Sequence, residues 1–144
     1  MAITFNSEDT KFNIDGRKRE TAAWMRAAVR EEGFAAGEIN VIFCSDPYLL
    51  EINRQYLRHD YFTDIITFDY CENDVLSGDL FISVDTVKGN AEEYGVMFHV
   101  ELLRVIIHGV MHLAGYKDKT DPDAAKMRER ENHYLAQAPE GLLE

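Results

Sequence analysis

Two histidines, His108 and His112, stand four positions apart in the last third of the chain. On a helix, side chains at positions i and i+4 lie on the same face, one turn apart. This spacing lets one helix present two imidazoles to a single metal ion, and zinc is commonly held in this way. The pair therefore predicts a divalent metal site, with zinc (one ion per chain) as the expected metal.

A third ligand has to come from beyond the helix that carries the two histidines. Gly115 permits a sharp turn, and Asp118 follows three residues later with a carboxylate, which is an accepted zinc ligand. A site of His108, His112 and Asp118 leaves one coordination position open, as catalytic zinc sites do. Zinc peptidases of the His-Glu-x-x-His type carry a glutamate base directly after the first histidine. Gly109 occupies that position here, which counts against a peptidase.

The histidine helix is predicted over residues 97–114, near the C-terminal end of the chain. Most of its residues are apolar, but its polar residues fall in one stripe about 80° wide on a helical wheel. The stripe consists of Glu101, Arg104, His108 and His112. Because buried polar groups need partners, we expect the chemistry of the protein to lie along this stripe.

The elements around this helix are predicted from apolar periodicity and from turn residues. Strands are expected at residues 2–6, 39–44, 65–70 and 79–84, with a polar turn at 72–78. Helices are expected at residues 17–32, after an N-cap at Asp46, at 85–94, at 97–114 and after Pro122. This order is not a regular alternation, so we predict an α+β fold with a small mixed sheet of about four strands covered by about five helices. The 144 residues are expected to form one domain, 1–144.

The composition restricts the expected cellular location and the expected binding partners. The formal net charge of −11 counts against binding nucleic acid by general phosphate neutralisation, so an RNA function needs a local basic patch, a metal or a docking partner. Arg17, Lys18 and Arg19 are the best basic cluster, although such a run is also common at the start of a helix. No signal peptide or membrane-length apolar segment is recognised, which predicts a cytoplasmic protein without a membrane partner. Cys44 and Cys71 are expected to be free thiols in apolar surroundings.

Four stretches of the sequence resemble motifs of one known family. The run from His108 to Tyr116 resembles His-Gly-x-Leu-His-Leu-x-Gly-Tyr-Asp-His, the signature of the YbeY family of bacterial endoribonucleases and rRNA maturation factors. Residues 63–68 resemble its Thr-Asp-Val-Leu-Ser-Phe, residues 78–83 its Gly-Asp-Ile-x-Ile-Ser, and residues 50–56 its Leu-Asn-x-x-Tyr element. The stretches occur in the family's order, which makes the resemblance more specific than the histidine pair alone.

The resemblance implies a fold, a site and a function. The fold is a mixed sheet surrounded by helices, and the site is a three-histidine metal site usually assigned to zinc. The implied function is single-strand-specific RNA hydrolysis in 16S rRNA 3′-end maturation, together with ribosome quality control. The implied partners are single-stranded RNA, 16S rRNA, and the ribosome or ribosomal proteins.

The chain departs from the family pattern at two positions. Asp118 stands where the family has its third histidine. The family also has an arginine directly after the tyrosine that matches Tyr56, whereas this chain has Leu57 there and Arg58 one residue later. On a helix this shift rotates the side chain by about 100°. Arg58 is our candidate catalytic cation, and Arg54 and His59 are the alternatives.

Metal-assisted phosphodiester hydrolysis is the working hypothesis, with an arginine offsetting negative charge in the transition state. One alternative is a non-catalytic ribosome-assembly factor in which the metal is structural. Another is a zinc hydrolase acting on a different substrate class. Residues 128–131, Arg-Glu-Arg-Glu, are predicted to be a solvated helix face with local ion pairs.

Overall fold

The computed structural model of the protein describes residues 2–58 and 63–144. Within these ranges the strands are β1 (Ile3–Ser7), β2 (Ala35–Cys44), β3 (Ile65–Asp69) and β4 (Val75–Ser83). The helices are α1 (Lys18–Glu31), α2 (Asp46–Leu57), α3 (Val84–Tyr94), α4 (Phe98–Leu113), α5 (Asp121–Leu135) and the short α6 (Glu140–Leu143). The predicted α+β fold, with its mixed sheet of four strands, is confirmed. The turn α6 was not predicted.

The sheet has the strand order β1-β2-β4-β3. Strands β1, β2 and β4 are parallel, whereas β3 runs antiparallel to β4. Because paired residues share a face of a sheet, Ile65 lies beside Ile82 on one face and Ile66 beside Phe81 on the other. The first face carries the main core, against α1 and α4, and the second carries a smaller core against α2.

Gly109 allows α4 to lie close to the sheet. A Cβ at this position would lie 2.8 Å from Cδ1 of Ile65 and 3.0 Å from Cδ2 of Leu80. Any larger residue would therefore have to displace the side-chain ends of Ile65 and Leu80. The glycine that counted against a peptidase thus has a packing role, because it lets α4 lie against Ile65 of β3 and Leu80 of β4.

Several predicted boundaries are wrong because they depend on pairing and capping. Strand β2 begins at Ala35 and β4 at Val75, so the second half of the expected turn 72–78 is strand. These strand ends are held by pairing with each other, Ala35 beside Val75, which a local pattern does not reveal. The N-cap of α2 is Ser45, whose hydroxyl accepts the backbone N–H of Tyr48, and not Asp46.

Both cysteines are free, as predicted. Cys44 is fully buried in the smaller core, and Cys71 is half-buried. Burial raises the pKa of the Cys44 thiol to about 12. Because the thiolate is the reactive form, Cys44 is an inert core residue.

The close packing around Gly78 can be tested by comparison with a second glycine, Gly89. A Cβ at Gly78 of β4 would overlap the backbone carbonyl oxygen of Phe68, which cannot move without breaking the β3–β4 pairing, and would also lie 2.9 Å from Leu113. We expect Gly78→Ala to lower the free energy of unfolding by about 2–3 kcal/mol. Gly89→Ala in α3 is the control, since nothing lies within 4 Å of its added Cβ and the helix gains up to about 1 kcal/mol. Urea denaturation measures both; equal changes would contradict the close approach.

Within the described ranges, no single helix is long and apolar enough to cross a membrane. The pair α3 and α4 passes the length and composition criteria only when taken together, and the two helices are bent by 118° at their junction.

Candidate metal centre

The structure brings His108, His112 and Asp118 together, and this group could hold a metal ion. Nε2 of His108 lies 3.0 Å from Nε2 of His112 and 3.1 Å from Oδ2 of Asp118. Nε2 of His112 lies 3.4 Å from the same carboxylate oxygen. Ligand atoms about 2.1 Å from a tetrahedral metal stand about 3.4 Å apart. The three separations therefore suit one shared ion.

The outer nitrogen of each imidazole has its own acceptor. Nδ1 of His112 donates to the backbone carbonyl oxygen of Tyr116 at 3.0 Å, an oxygen that can only accept. Nδ1 of His108 lies 2.7 Å from Oε2 of Glu131. These partners place the proton of each neutral ring on Nδ1 and leave a lone pair on Nε2. Two such lone pairs 3.0 Å apart repel each other, so the donor set fits a cation between them.

The local sequence explains how Tyr116 reaches His112. Helix α4 ends at Leu113, and Gly115 follows with a φ of +104°, a conformation that glycine adopts readily. This turn directs the Tyr116 carbonyl back to the last turn of α4 and leads the chain on to Asp118. The Tyr116 hydroxyl donates to Glu32 at 2.7 Å, which ties the turn to the end of α1.

Glu131 is the main residue of the site that the sequence analysis missed. Its side chain is only 6% exposed, and it also accepts from Nη1 of Arg104 at 3.0 Å. The predicted solvated face at residues 128–131 is therefore wrong at Glu131, and at Arg130, which is half-buried against Glu32. A signal was present, because Glu131 stands four residues after Met127 and three before Tyr134, both buried. It thus lies on the apolar face of α5.

His108 and Glu131 each stabilise the charged form of the other. Burial opposes the charged imidazolium, but the hydrogen bond to Glu131 and the nearby carboxylates of Asp64 and Asp118 outweigh it and raise the pKa of His108. Burial likewise opposes the Glu131 carboxylate, but His108 and Arg104 outweigh it and lower the pKa of Glu131. The structure thus keeps a negative carboxylate behind the imidazole, an arrangement that makes a histidine a stronger metal ligand.

A surface cleft of about 460 Å³ lies on one side of the three ligands. It is bounded by the end of α2, by β3 and by α4, and its lining includes Leu57, Asp64, Thr67 and Lys119 together with the ligand group.

Neither of the two described candidate cations, Arg58 and Arg54, belongs to the lining of this cleft. Arg58 is the exposed C-cap of α2, with a left-handed φ of +57°, and it lies outside the lining to which its neighbour Leu57 belongs. Arg54 lies one turn back, 3.9 Å from Glu51. The alternative His59 is outside the described residues.

The basic cluster at the start of α1 is partly used in the fold. Arg17 donates to the backbone carbonyl oxygens of Gly141 and Leu142, and so ties α6 to α1. Lys18 pairs with Asp15 at 3.2 Å. The cluster lies outside the lining of the cleft.

Comparison with known proteins places the chain in a family. The family model for Endoribonuclease YbeY matches residues 2–139. The chain belongs to the YbeY family. A YbeY endoribonuclease of Bacteroides thetaiotaomicron is 54% identical over 136 residues, which cover 94% of this chain and 98% of that protein. One of Flavobacterium johnsoniae is 48% identical over 93% of this chain and 95% of its own.

A solved structure agrees with this relationship. The solution structure of a Thermotoga maritima protein is 30% identical, has a TM-score of 0.69, and covers 95% of this chain and 89% of its own. The predictions of a YbeY endoribonuclease, and hence of a hydrolase acting on phosphodiester bonds, are confirmed. RNA is therefore the substrate class, and rRNA maturation is the function of the family.

Proposed function

We propose that this chain is a zinc-dependent, single-strand-specific endoribonuclease that acts as one domain in 16S rRNA 3′-end maturation and ribosome quality control. The observation that carries the proposal is the group His108, His112 and Asp118, whose ligand atoms stand 3.0–3.4 Å apart in the lining of an open cleft. The ribosome or its proteins are the proposed partners, and the cytoplasm is the proposed location.

Each side chain of the site has a separate role in metal binding, ligand orientation or charge stabilisation. His108, His112 and Asp118 would hold the ion through two Nε2 atoms and one carboxylate oxygen, a donor set typical of catalytic zinc. Glu131 and the Tyr116 carbonyl orient the two imidazoles. When bound, the ion supplies Lewis acidity to a phosphoryl oxygen and lowers the pKa of water. Arg58 at the end of α2 offsets negative charge on the transition state.

Asp118 in place of a third histidine leads to a prediction about metal content. Purified wild type is expected to hold about one zinc per chain, measured by elemental analysis, because three ligands converge. Asp118→Ala is expected to lose most of it, whereas Asp118→His is expected to retain it, since an imidazole is an equally good ligand. Asp121→Ala, at the exposed start of α5, is the control. Full zinc content in Asp118→Ala would remove Asp118 from the site.

The activity is tested on RNA with single-stranded and paired forms of one sequence. Metal-loaded wild type is expected to cleave a single-stranded RNA that spans the 16S 3′ end, to spare the same sequence in a duplex, and to lose cleavage after chelation. Restoring zinc, and then other divalent metals in turn, identifies the metal. Cleavage that survives complete metal removal would contradict the proposal.

Arg58 offers a clean test because of its backbone. Its φ of +57° favours glycine at a helix C-cap, so Arg58→Gly removes the guanidinium without straining the chain. We expect unchanged or slightly higher stability and unchanged zinc content. The cleavage rate should fall on the order of 10–100-fold through the loss of transition-state stabilisation. Arg58→Lys, which keeps a positive charge at the same position, is the control and should recover part of the rate. An unaltered kcat in Arg58→Gly would show that another cation serves.

A further inference from the structure

A second cavity, of about 250 Å³, lies on the opposite side of the ligand group from the cleft. Asp64, His108 and Asp118 line both spaces, so the metal centre forms the ridge between them. The remaining walls come from α3, α4 and α5. A polymer that crosses the ridge with one phosphate at the metal centre would therefore place a neighbouring unit over this cavity.

One wall of the cavity carries the largely buried side chain of Glu101. Glu101 of α4 is 5% exposed, and it makes no hydrogen bond to any other residue in the ranges 2–58 and 63–144. Buried polar side chains are normally paired because an unpaired one costs stability. Burial raises the pKa of Glu101, although Arg104 opposes this. Its carboxyl group therefore takes up a proton more readily than an exposed glutamate, and in that form it both donates and accepts.

The rim of the cavity carries an aromatic ring, an amide and a cation. Tyr94 of α3 is 58% exposed, which leaves its ring face available. The half-buried Asn90, one turn earlier, makes no side-chain hydrogen bond to another described residue. Arg128 of α5 is 58% exposed and only loosely paired, with Nη1 3.8 Å from Glu131. Apolar contact comes from Val105 and Met127.

This combination fits a nucleobase better than a phosphate. Even without counting Glu101, the carboxyl groups of Asp64, Asp118 and Glu131 outnumber the guanidinium groups of Arg104 and Arg128 in the lining. An anion gains little from such a lining, whereas a base is uncharged. Proteins hold single-stranded RNA by stacking bases on aromatic side chains and by bonding to their exposed edges. Tyr94 provides the stacking surface, Asn90 and Glu101 provide donors and acceptors for the base edge, and Arg128 meets the backbone outside.

We infer that the cavity between α3, α4 and α5 is a binding site for the nucleobase next to the scissile phosphate, with stacking on Tyr94 and edge recognition by Glu101. The inference rests on the proposed RNA cleavage and adds to it the side of the metal centre on which the flanking nucleotide is held. It also gives the buried Glu101 a role in binding rather than in folding.

The first experiment compares two tyrosines of equal exposure. Tyr70, also 58% exposed, directly follows β3 and lies outside the lining of this cavity. Binding of a fluorescent single-stranded RNA to metal-free protein, and KM and kcat for its cleavage by zinc-loaded protein, are measured for both alanine variants. Tyr94→Ala should raise Kd and KM about tenfold, the loss expected for one stacked base. Tyr70→Ala should change them less than about twofold. Equal effects of the two variants would overturn the site.

The second experiment removes the base instead of the ring. RNAs that carry one abasic nucleotide at successive positions around the cleavage point are bound to wild type and to Tyr94→Ala. At one position beside the scissile phosphate, wild type should lose about tenfold in Kd, and Tyr94→Ala should lose nothing further. A Tyr94→Ala defect that persists unchanged on every abasic RNA would overturn stacking.

The third experiment separates binding from folding at Glu101. Because its carboxyl group is buried and unpaired, Glu101→Leu should unfold at the same or a higher temperature than wild type. It should nevertheless bind single-stranded RNA several-fold more weakly, and Glu101→Gln should recover part of the loss. A Glu101→Leu variant that is destabilised but binds RNA normally would make Glu101 structural.

The outcomes distinguish this site from the proposed function. A wild type that neither binds nor cleaves single-stranded RNA contradicts the proposed function itself. A wild type that cleaves, with all cavity variants equal to it, contradicts only the nucleobase site. Normal RNA binding combined with lost binding to a ribosomal protein would assign the cavity to a protein partner and overturn the nucleobase site.

Discussion

His112→Ala is expected to abolish metal binding and to lower RNA cleavage by more than about 100-fold, which exceeds the 10–100-fold typical of residues outside the ligand set. The imidazole supplies one of three ligand atoms, and its Nε2 stands 3.0 Å from that of His108. Alanine leaves His108 and Asp118 alone, and two ligands hold a divalent ion poorly. Elemental analysis and single-turnover cleavage of single-stranded RNA measure both effects.

The control for this experiment lies on the same helix. His99 is in the first turn of α4 and outside the ligand group, so His99→Ala should keep both zinc and activity. A thermodynamic readout supports the assay, because zinc at 100 times its Kd should stabilise wild type by about 2.7 kcal/mol and leave His112→Ala unchanged. Equal residual cleavage in wild type and His112→Ala would point to a contaminating nuclease and sink the assignment.

Glu131→Ala is expected to have the largest effect on stability, a loss of about 3–5 kcal/mol, because it removes one partner of a buried charge pair. Glu131 joins Nδ1 of His108 to the guanidinium of Arg104 while it is 6% exposed. Without the carboxylate, Arg104 is left without its charge partner and His108 loses the acceptor that fixes its tautomer. Zinc affinity should therefore also fall, by about 10–100-fold.

A neighbour on α5 provides the comparison for Glu131. Glu129 is 59% exposed and pairs with Lys126 at the surface, so Glu129→Ala should change stability by less than about 0.5 kcal/mol. Glu131→Gln keeps the shape and one acceptor, and it should lie between the two. Urea denaturation of metal-free protein and competitive zinc titration separate the two expected losses. A Glu131→Ala variant that keeps wild-type zinc affinity would mean that the Tyr116 contact to His112 suffices.

The ligand group and the helix that carries it could be predicted from local sequence. Four-residue spacing fixes the relative direction of two side chains on any α-helix, whatever surrounds it. Gly115 makes the turn that returns Asp118 to the same side, and this too is a property of a few consecutive residues. The family resemblance was equally accessible, because it rests on short motifs in a fixed order.

Other features depend on contacts between distant parts of the chain. Glu131 reaches His108 across 23 positions, and Arg104 reaches Glu131 across 27. Its i+4 spacing from the buried Met127 hinted at an inward direction, but only helix packing decides which residues a buried carboxylate meets. The early start of β4 at Val75 has the same origin, because this end becomes a strand by pairing with Ala35.

The sequence by itself determined which residues are the candidate metal ligands, because residue types and helical periodicity bring them to one face before any tertiary contact forms. Only the tertiary structure decided what surrounds those ligands: the carboxylate behind His108, the cleft beside Leu57, and the cavity that holds Glu101. The physical reason is the distance along the chain over which each feature is determined. The direction of a side chain follows from its own few neighbours along the chain, whereas burial, charge pairing and cavity shape arise where α4, α5 and the sheet meet.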